Sequence, residues 1–387
     1  MATNENRQRK ASRYVVPVAV AGVAAATIGL VPALAASGDP DLPEITAQQL
    51  IEKIAGSDTQ TLSGTFKIST DLGLPSFAGL LPAPSGSSSA DPADKLTQLV
   101  SGSHTLRLAA DGPDRQKLTL LDGSDEYSLV HNGNDVWAYD SKSNEVFHEK
   151  ADGKGPKTED TKLPGTPKEL ADEVLKAAGD TTSITVGGTA KVAGRDAYQL
   201  VIKPKQSGSM VESVKISVDA QTGTPLKFTL ASVDGGKPVV DAGFTKVDFG
   251  KPEASAFDFK APKGAKVTEG AAEKGAHEGV DKPFGGLADL GGFGDLTNGK
   301  DGAVNVIGEG WTTIAKLDSG APAPKTDEAP KEVQGFLDAL GDKVSGKFGS
   351  GTVFKTKLVN ALMTEDGKVY VGAVTPQKLV DTANASK

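Results

Sequence analysis

The sequence has no cysteine, which removes disulfides, thiolate metal sites, iron–sulfur clusters and cysteine nucleophiles together. That absence does not fix the compartment, because an exported protein need not be cross-linked. Histidine is scarce too: the 4 residues, at 104, 131, 148 and 277, stand in no metal-ligand spacing, and His148-Glu149 lacks the second histidine that a helical zinc site requires. No Gly-x-Ser-x-Gly elbow occurs, and Gly349-Ser350-Gly351 lies in a glycine-rich turn. The glycines at 291, 292 and 294 neither follow a strand nor open a helix, so they do not cradle a phosphate. Asp125-Glu126 and Glu365-Asp366 read as solvated turns, and no complete calcium loop is present. This inventory predicts no catalytic residue, no metal and no cofactor. Aromatics make up only 5% of the chain and apolar residues 37%, so a core exists but part of the chain is linker. With 42 Lys+Arg against 50 Asp+Glu the formal charge is -8, which argues against nucleic acid as a partner.

What is present begins with an address. Arg7, Arg9, Lys10 and Arg13 precede an apolar run from Val15 to Val31 and then Ala33-Leu34-Ala35, the order of a secretory signal. Residues 1–35 are expected to be a signal peptide cleaved after Ala35, with retention as an uncleaved anchor as the alternative. In either case the rest of the chain is extracytoplasmic, in the cell envelope or secreted. Cleavage takes four positive charges and Glu5 with it, leaving a net charge of -11 that repels anionic surfaces.

The length of 387 residues suggests two domains. Thr46, three residues before Gln49, opens a capped amphipathic helix with Leu50, Ile51 and Ile54 on one face, stopped by Gly56. From Gln60 the period becomes two, with Leu62, Phe66 and Ile68 alternating against Thr65, Lys67 and Ser69. Residues 73–102 form a long, partly apolar insertion loop. Short alternating segments follow at 104–110, 115–121, 126–131, 135–140 and 145–148, separated by Asp111-Gly112, Asp122-Gly123 and Asn132-Gly133, which are hairpin turns. A second capped helix starts at Thr166-Pro167, carries Leu170, Val174 and Leu175, and ends at Gly179. Strands are expected again at 184–186, 190–192, 197–203, 211–219, 226–233 and 239–249. A Gly-rich linker covers 269–303, and residues 304–387 form a small α/β segment with strands at 304–307 and 311–317, a helix at 331–340 and a hairpin over 353–374 turning at Asp366-Gly367.

Several stretches resemble one family of exported proteins. They are Leu129-Val130-His131-Asn132-Gly133 with Val136-Trp137-Ala138-Tyr139-Asp140; Ala193-Gly194-Arg195-Asp196-Ala197-Tyr198-Gln199-Leu200; Val218-Asp219 with Thr222-Gly223-Thr224-Pro225-Leu226; and Phe257-Asp258-Phe259-Lys260-Ala261-Pro262, closing at Val267. In this order, over residues 36–268, they are similar to the LolA, LppX and RseB/MucB superfamily of lipoprotein carriers, lipid carriers and envelope-stress sensors. The resemblance implies a mainly β, α+β fold: a strongly curved, open antiparallel sheet, or half-barrel, covered by two helices over an apolar cavity for acyl chains. The expected lining is Leu62, Phe66, Ile68, Leu106, Leu108, Trp137, Tyr139, Leu200, Ile202, Phe228 and Leu230, with Leu50, Ile54, Leu170 and Val174 from a lid. Trp137 and Tyr139 share one strand face, Val136 and Ala138 the other, so only one pair points inward. The same side chains also suit an ordinary closed core. Arg107 and Arg115 compete as counterparts of the arginine that outer-membrane carriers place on an early strand. The implied function is a carrier of a lipid or acylated lipoprotein, working with a release protein. The alternative is a sensor in which the segment after the linker contacts a membrane-bound regulator.

Overall fold

The computed structural model describes residues 39–73, 90, 102–150, 172, 175, 176, 178–269, 304–318 and 341–386. They form a mostly β protein built on one large, curved, open antiparallel sheet and a second, smaller sheet with a helix.

The large sheet is made of two runs of consecutive strands. The first comprises β1 (Thr61–Thr70), β2 (Gly102–Asp111), β3 (Arg115–Asp122), β4 (Asp125–Asn132), β5 (Asp135–Asp140) and β6 (Glu145–Lys150). The second comprises β7 (Thr182–Val192), β8 (Arg195–Pro204), β9 (Val211–Asp219), β10 (Pro225–Ser232) and β11 (Val240–Asp248). They join where β1 pairs with β11, so the first strand stands mid-sheet with a meander running outward on either side. A short twelfth strand, β12 (Lys266–Glu269), pairs parallel with β6 at one edge. The sequence does not signal this strand: it is four residues long and its position is set by the chain that brings it back.

The turns form where the Asp-Gly and Asn-Gly pairs stand, with Gly112, Gly123 and Gly133 all at positive φ. The two segments expected at 184–186 and 190–192 are one strand, because a bulge between Val186 and Thr189 absorbs Gly187 and Gly188 without ending the pairing. Gly64 is required by proximity: a Cβ there would lie 2.4 Å from the Lys246 carbonyl and 2.8 Å from the Phe244 ring.

Helix α1 (Ala47–Ala55) is fixed by the expected capping box, with Thr46 Oγ1 accepting from the Gln49 amide at 3.2 Å and Gln49 Oε1 from the Thr46 amide at 2.9 Å. Its buried Leu50 and Ile51 pack on Leu200, Ile202, Val214 and Ile216 of β8 and β9. Of the second expected helix, Asp172, Leu175, Lys176 and Ala178 are described and helical. Leu175 packs on the same core, and Gln48 Nε2 of α1 donates to Asp172 Oδ1 at 2.9 Å. Leu170 and Val174 lie outside the described residues, as do the signal segment, most of the insertion loop and linker, and the helix expected at 331–340.

The small sheet has the order β13-β14-β18-β17-β16-β15, from β13 (Val304–Ile307), β14 (Ile314–Asp318), β15 (Gly341–Gly346), β16 (Gly349–Phe354), β17 (Asn360–Thr364) and β18 (Lys368–Gly372). The hairpin at Asp366-Gly367 is the β17–β18 turn. Trp311 precedes β14 in a short 3-10 turn instead of opening the strand. Helix α2 (Pro376–Ala385) is an element beyond those expected from the sequence, although Thr375-Pro376 repeats the cap-plus-proline signature of Thr166-Pro167. It buries Leu379 and Ala383 against Ile314, Phe348, Val353, Leu362 and Tyr370.

The two sheets touch through the loop between β8 and β9. The Met210 amide donates to the Ala373 carbonyl at 2.9 Å, and the Thr375 amide to the Gly208 carbonyl at 2.8 Å. Trp311 packs against the α1 core, donating from Nε1 to Thr182 Oγ1 at 2.8 Å and from its amide to Gln206 Oε1 at 3.0 Å. Lys357 donates its amide to the Leu72 carbonyl at 2.9 Å and its Nζ to Asp71, and this side-chain hydrogen bond is the chief cause that holds the Asp71 carboxyl below its ordinary range.

Candidate functional site

Residues opposite each other in register share a face, so the pairing decides which candidates meet. Phe66, Leu106, Leu120 and Tyr127 form one cross-strand row; Leu108, Leu118, Leu129, Ala138 and Phe147 form the next. Ile68 faces Ala242, which faces Phe228, Ile216, Leu200 and Val186; Leu230, Val214, Ile202 and Ile184 run beside them. Leu62, Phe66, Ile68, Leu106, Leu108, Leu200, Ile202, Phe228 and Leu230 therefore lie on one face of the sheet. It is the face on which α1 packs.

Burial divides this face. Leu200 and Ile202 are covered under Leu50, with Ile54, Phe228 and Leu230 packed around them. Leu106 is buried beside Leu120, Tyr127 and Ala138, whereas Phe66, Ile68, Leu118, Leu129 and Phe147 around it are only half-buried. Leu62 and Leu108, also half-buried, lean on the cluster of Val192, Ala197, Leu226 and Phe244. Among the described residues of the insertion loop, Ala90 reaches this surface: it is fully buried and its carbonyl accepts from the Tyr127 hydroxyl at 3.0 Å.

Trp137 and Tyr139 are on the opposite face, with Ala138 and its neighbours on the α1 side. The chain after β11 returns across them: Phe257 is fully buried, and Phe259 lies 5.3 Å from the Trp137 ring and 6.1 Å from that of Tyr139. Trp137 stacks on His148 at 3.6 Å. His148 in turn bridges Asp135 Oδ1 through Nε2 and Glu269 Oε2 through Nδ1, both at 2.8 Å, which ties β12 to the sheet. The hairpin stretch and the closing stretch of the sequence are thus packing partners.

The other two recognisable stretches also meet. Arg195 pairs with Asp219 through Nε and, at 3.1 Å, through its terminal nitrogen, while its guanidinium lies 4.7 Å from the Phe249 ring. Asp219 is 1% exposed and accepts further from the Thr222 amide at 2.7 Å and the Gln221 amide at 3.0 Å. Burial by itself pushes the Asp219 carboxyl up, but Arg195 and the two amides outweigh it and hold the group below its ordinary value. The turn so fixed brings Gly223 under α1, where a Cβ would stand 2.3 Å from the Lys53 carbonyl. Of the two candidate latch arginines, Arg107 is exposed on the face away from α1, and Arg115 pairs with Asp111.

Among the described residues no group of three or more His, Asp or Glu is placed to hold a metal ion, and no helix is long and apolar enough to cross a membrane. The shared face is an apolar surface with few directed polar groups.

Residues 95–263 match the MucB/RseB N-terminal domain family. That segment, a little under half of the chain, is thus similar to a domain family of the LolA/RseB-like superfamily. No curated protein sequence matches the chain. Among solved structures, the chain is similar to that of the Pseudomonas aeruginosa MucA/MucB complex at 15% identity, covering 87% of this chain and 96% of that one with a TM-score of 0.38. An uncharacterised conserved protein of Thermus thermophilus matches at 12% identity over 58% of this chain and 99% of its own, with a TM-score of 0.32. A LolA superfamily protein of Nitrosomonas europaea matches at 11% identity over 56% and 99%, with a TM-score of 0.21.

Proposed function

We propose that this protein is a non-catalytic, extracytoplasmic binding protein that takes up the acyl chains of a lipid or lipoprotein on the α1 face of its large sheet. In this reading it acts as a MucB/RseB-like sensor whose small C-terminal sheet contacts a membrane-bound regulator. The observation that carries the proposal is the common face of nine of the eleven expected lining residues, with Phe66, Ile68, Phe228 and Leu230 among those left half-buried. An acyl chain gains about 0.8 kcal/mol per methylene buried, so such a face binds without directed polar contacts. The sensor reading is supported by the family matched and by the docking of the second sheet, through Trp311, on the core that α1 covers.

Native mass spectrometry with lipid extraction, on exported protein purified without detergent, tests the binding. A stoichiometric acylated ligand is expected, lost in Ile68→Asp and Phe228→Asp and retained in Trp137→Leu, which alters the opposite face. A clean apo mass with no uptake of palmitate or acylated peptide defeats the proposal. A carrier reading rests on the same face, which is formed by the large sheet alone. Photo-cross-linking from exposed Val306 separates the two, since a sensor gives a ligand-dependent adduct with a membrane protein and a carrier gives none.

A further inference from the structure

The net charge of the chain is negative, yet the sheet face away from α1 is basic. Lys67, Arg107, Lys203, Lys215 and Lys246 alternate with the inward apolar residues of β1, β2, β8, β9 and β11, and all five are exposed. The register gathers them. Lys246 faces Thr65, which faces Arg107, so these two cations flank β1 about 10 Å apart, and Lys67 stands one side-chain repeat away, about 7 Å along the strand. Lys227 faces Gly243, which faces Lys67, extending the patch towards β9.

Among the described residues, only Lys227 of this set has an acidic partner, Asp241 at 3.0 Å. The other acid within the patch, Asp248, turns its Oδ1 to the Gly250 amide at 2.7 Å. Like charges this close, with only these few acids among them, do not stabilise a sheet. The arrangement spans five strands, and it consists mostly of lysines, which act as point charges and not as the planar forks that select single carboxylates or phosphates. Such a surface complements an extended sheet of negative charge.

We infer that this face docks on an anionic lipid bilayer, leaving the α1 face and its apolar surface turned away from that membrane. The overall negative charge repels the same bilayer, so docking occurs in one orientation only. Flotation of the exported protein with phosphatidylglycerol vesicles, against neutral phosphatidylcholine vesicles that any apolar leader would enter equally, tests this. Preferential binding to the anionic vesicles is expected, falling steeply with added salt. The variant Lys67→Glu/Arg107→Glu/Lys246→Glu should lose at least about 100-fold in partitioning, at roughly five-fold or more per charge. The milder Lys67→Gln/Arg107→Gln/Lys246→Gln should lose a smaller amount with unchanged circular dichroism. Equal binding to both vesicles, or binding that survives the charge reversal but is lost in Phe228→Asp on the other face, overturns the inference.

Discussion

Arg195→Ala offers the sharpest test of what the recognisable stretches of this sequence do. If they form a ligand site, the change alters binding and little else; if they are a staple, it alters stability. Asp219 is 1% exposed, and Arg195 retains 27% of its side-chain exposure. Breaking a fully buried pair costs about 3–5 kcal/mol, because the remaining charge is stranded. Partial exposure of Arg195 and the surviving amide bonds from Thr222 and Gln221 lower that to about 2–3 kcal/mol. Contact of the guanidinium with Phe249 adds about 0.5–1 kcal/mol. Urea denaturation followed by Trp137 fluorescence in a Trp311→Phe background reads the large sheet alone. The pH dependence supplies the second arm. The Asp219 carboxyl lies below its unfolded value of about 3.9, so its contribution is complete above that pH and is lost as the pH falls through the lower folded value. Asp219→Asn should therefore be less stable than wild type at pH 7 and lose less on acidification. A change under 0.5 kcal/mol for Arg195→Ala at pH 7, set against about 1 kcal/mol for an average substitution, or parallel acid profiles for wild type and Asp219→Asn, refutes the staple.

Three further outcomes follow from the packing. Gly64→Ala should cost about 1–3 kcal/mol of unfolding free energy in urea denaturation, because its Cβ meets the Lys246 carbonyl, a backbone atom that cannot swing away. His148→Ala should release β12, removing two hydrogen bonds and the Trp137 stack, and appear as faster amide exchange at residues 266–269 with β4 unchanged. Trp311→Phe removes the bond to Thr182 and should cost about 1 kcal/mol, read as increased protease susceptibility between the two sheets.

Much of the fold follows from local rules that the sequence states openly. Strand β5 begins and ends where alternation and the Asn-Gly turn put it, and α1 carries both halves of its capping box. The elements that escaped have physical reasons. β12 is held by pairing with β6 and by Glu269, not by its own pattern, and such tertiary pairing leaves no period to read. α2 has a clear start at Thr375-Pro376, but only Leu379 and Ala383 are buried, so its apolar stripe is thin. β15, Gly341–Gly346, has glycine at both ends and no alternation, and exists because β16 pairs with it.

The site was legible in a different way, and Trp137 shows why. An aromatic at a recognisable hairpin attracts a functional reading, yet its work is to seat Phe259 and His148 on the face away from α1. The same holds for Arg195 and Asp219. Residues that leave a motif are those whose geometry tolerates few replacements: an ion pair, a stacked ring, a glycine beneath a helix. Phe66, Ile68, Phe228 and Leu230 obey no such constraint, since any apolar side chain of similar volume preserves a half-buried face. Staples of this kind are therefore easy to read from one sequence, while a half-buried apolar face is written in interchangeable residues. Whether the α1 face takes up a ligand is decided by what the protein carries when isolated, and the two faces of the sheet give that experiment its internal control: under the proposed function, substitutions on the α1 face change the cargo, whereas substitutions beneath Phe259 change only stability.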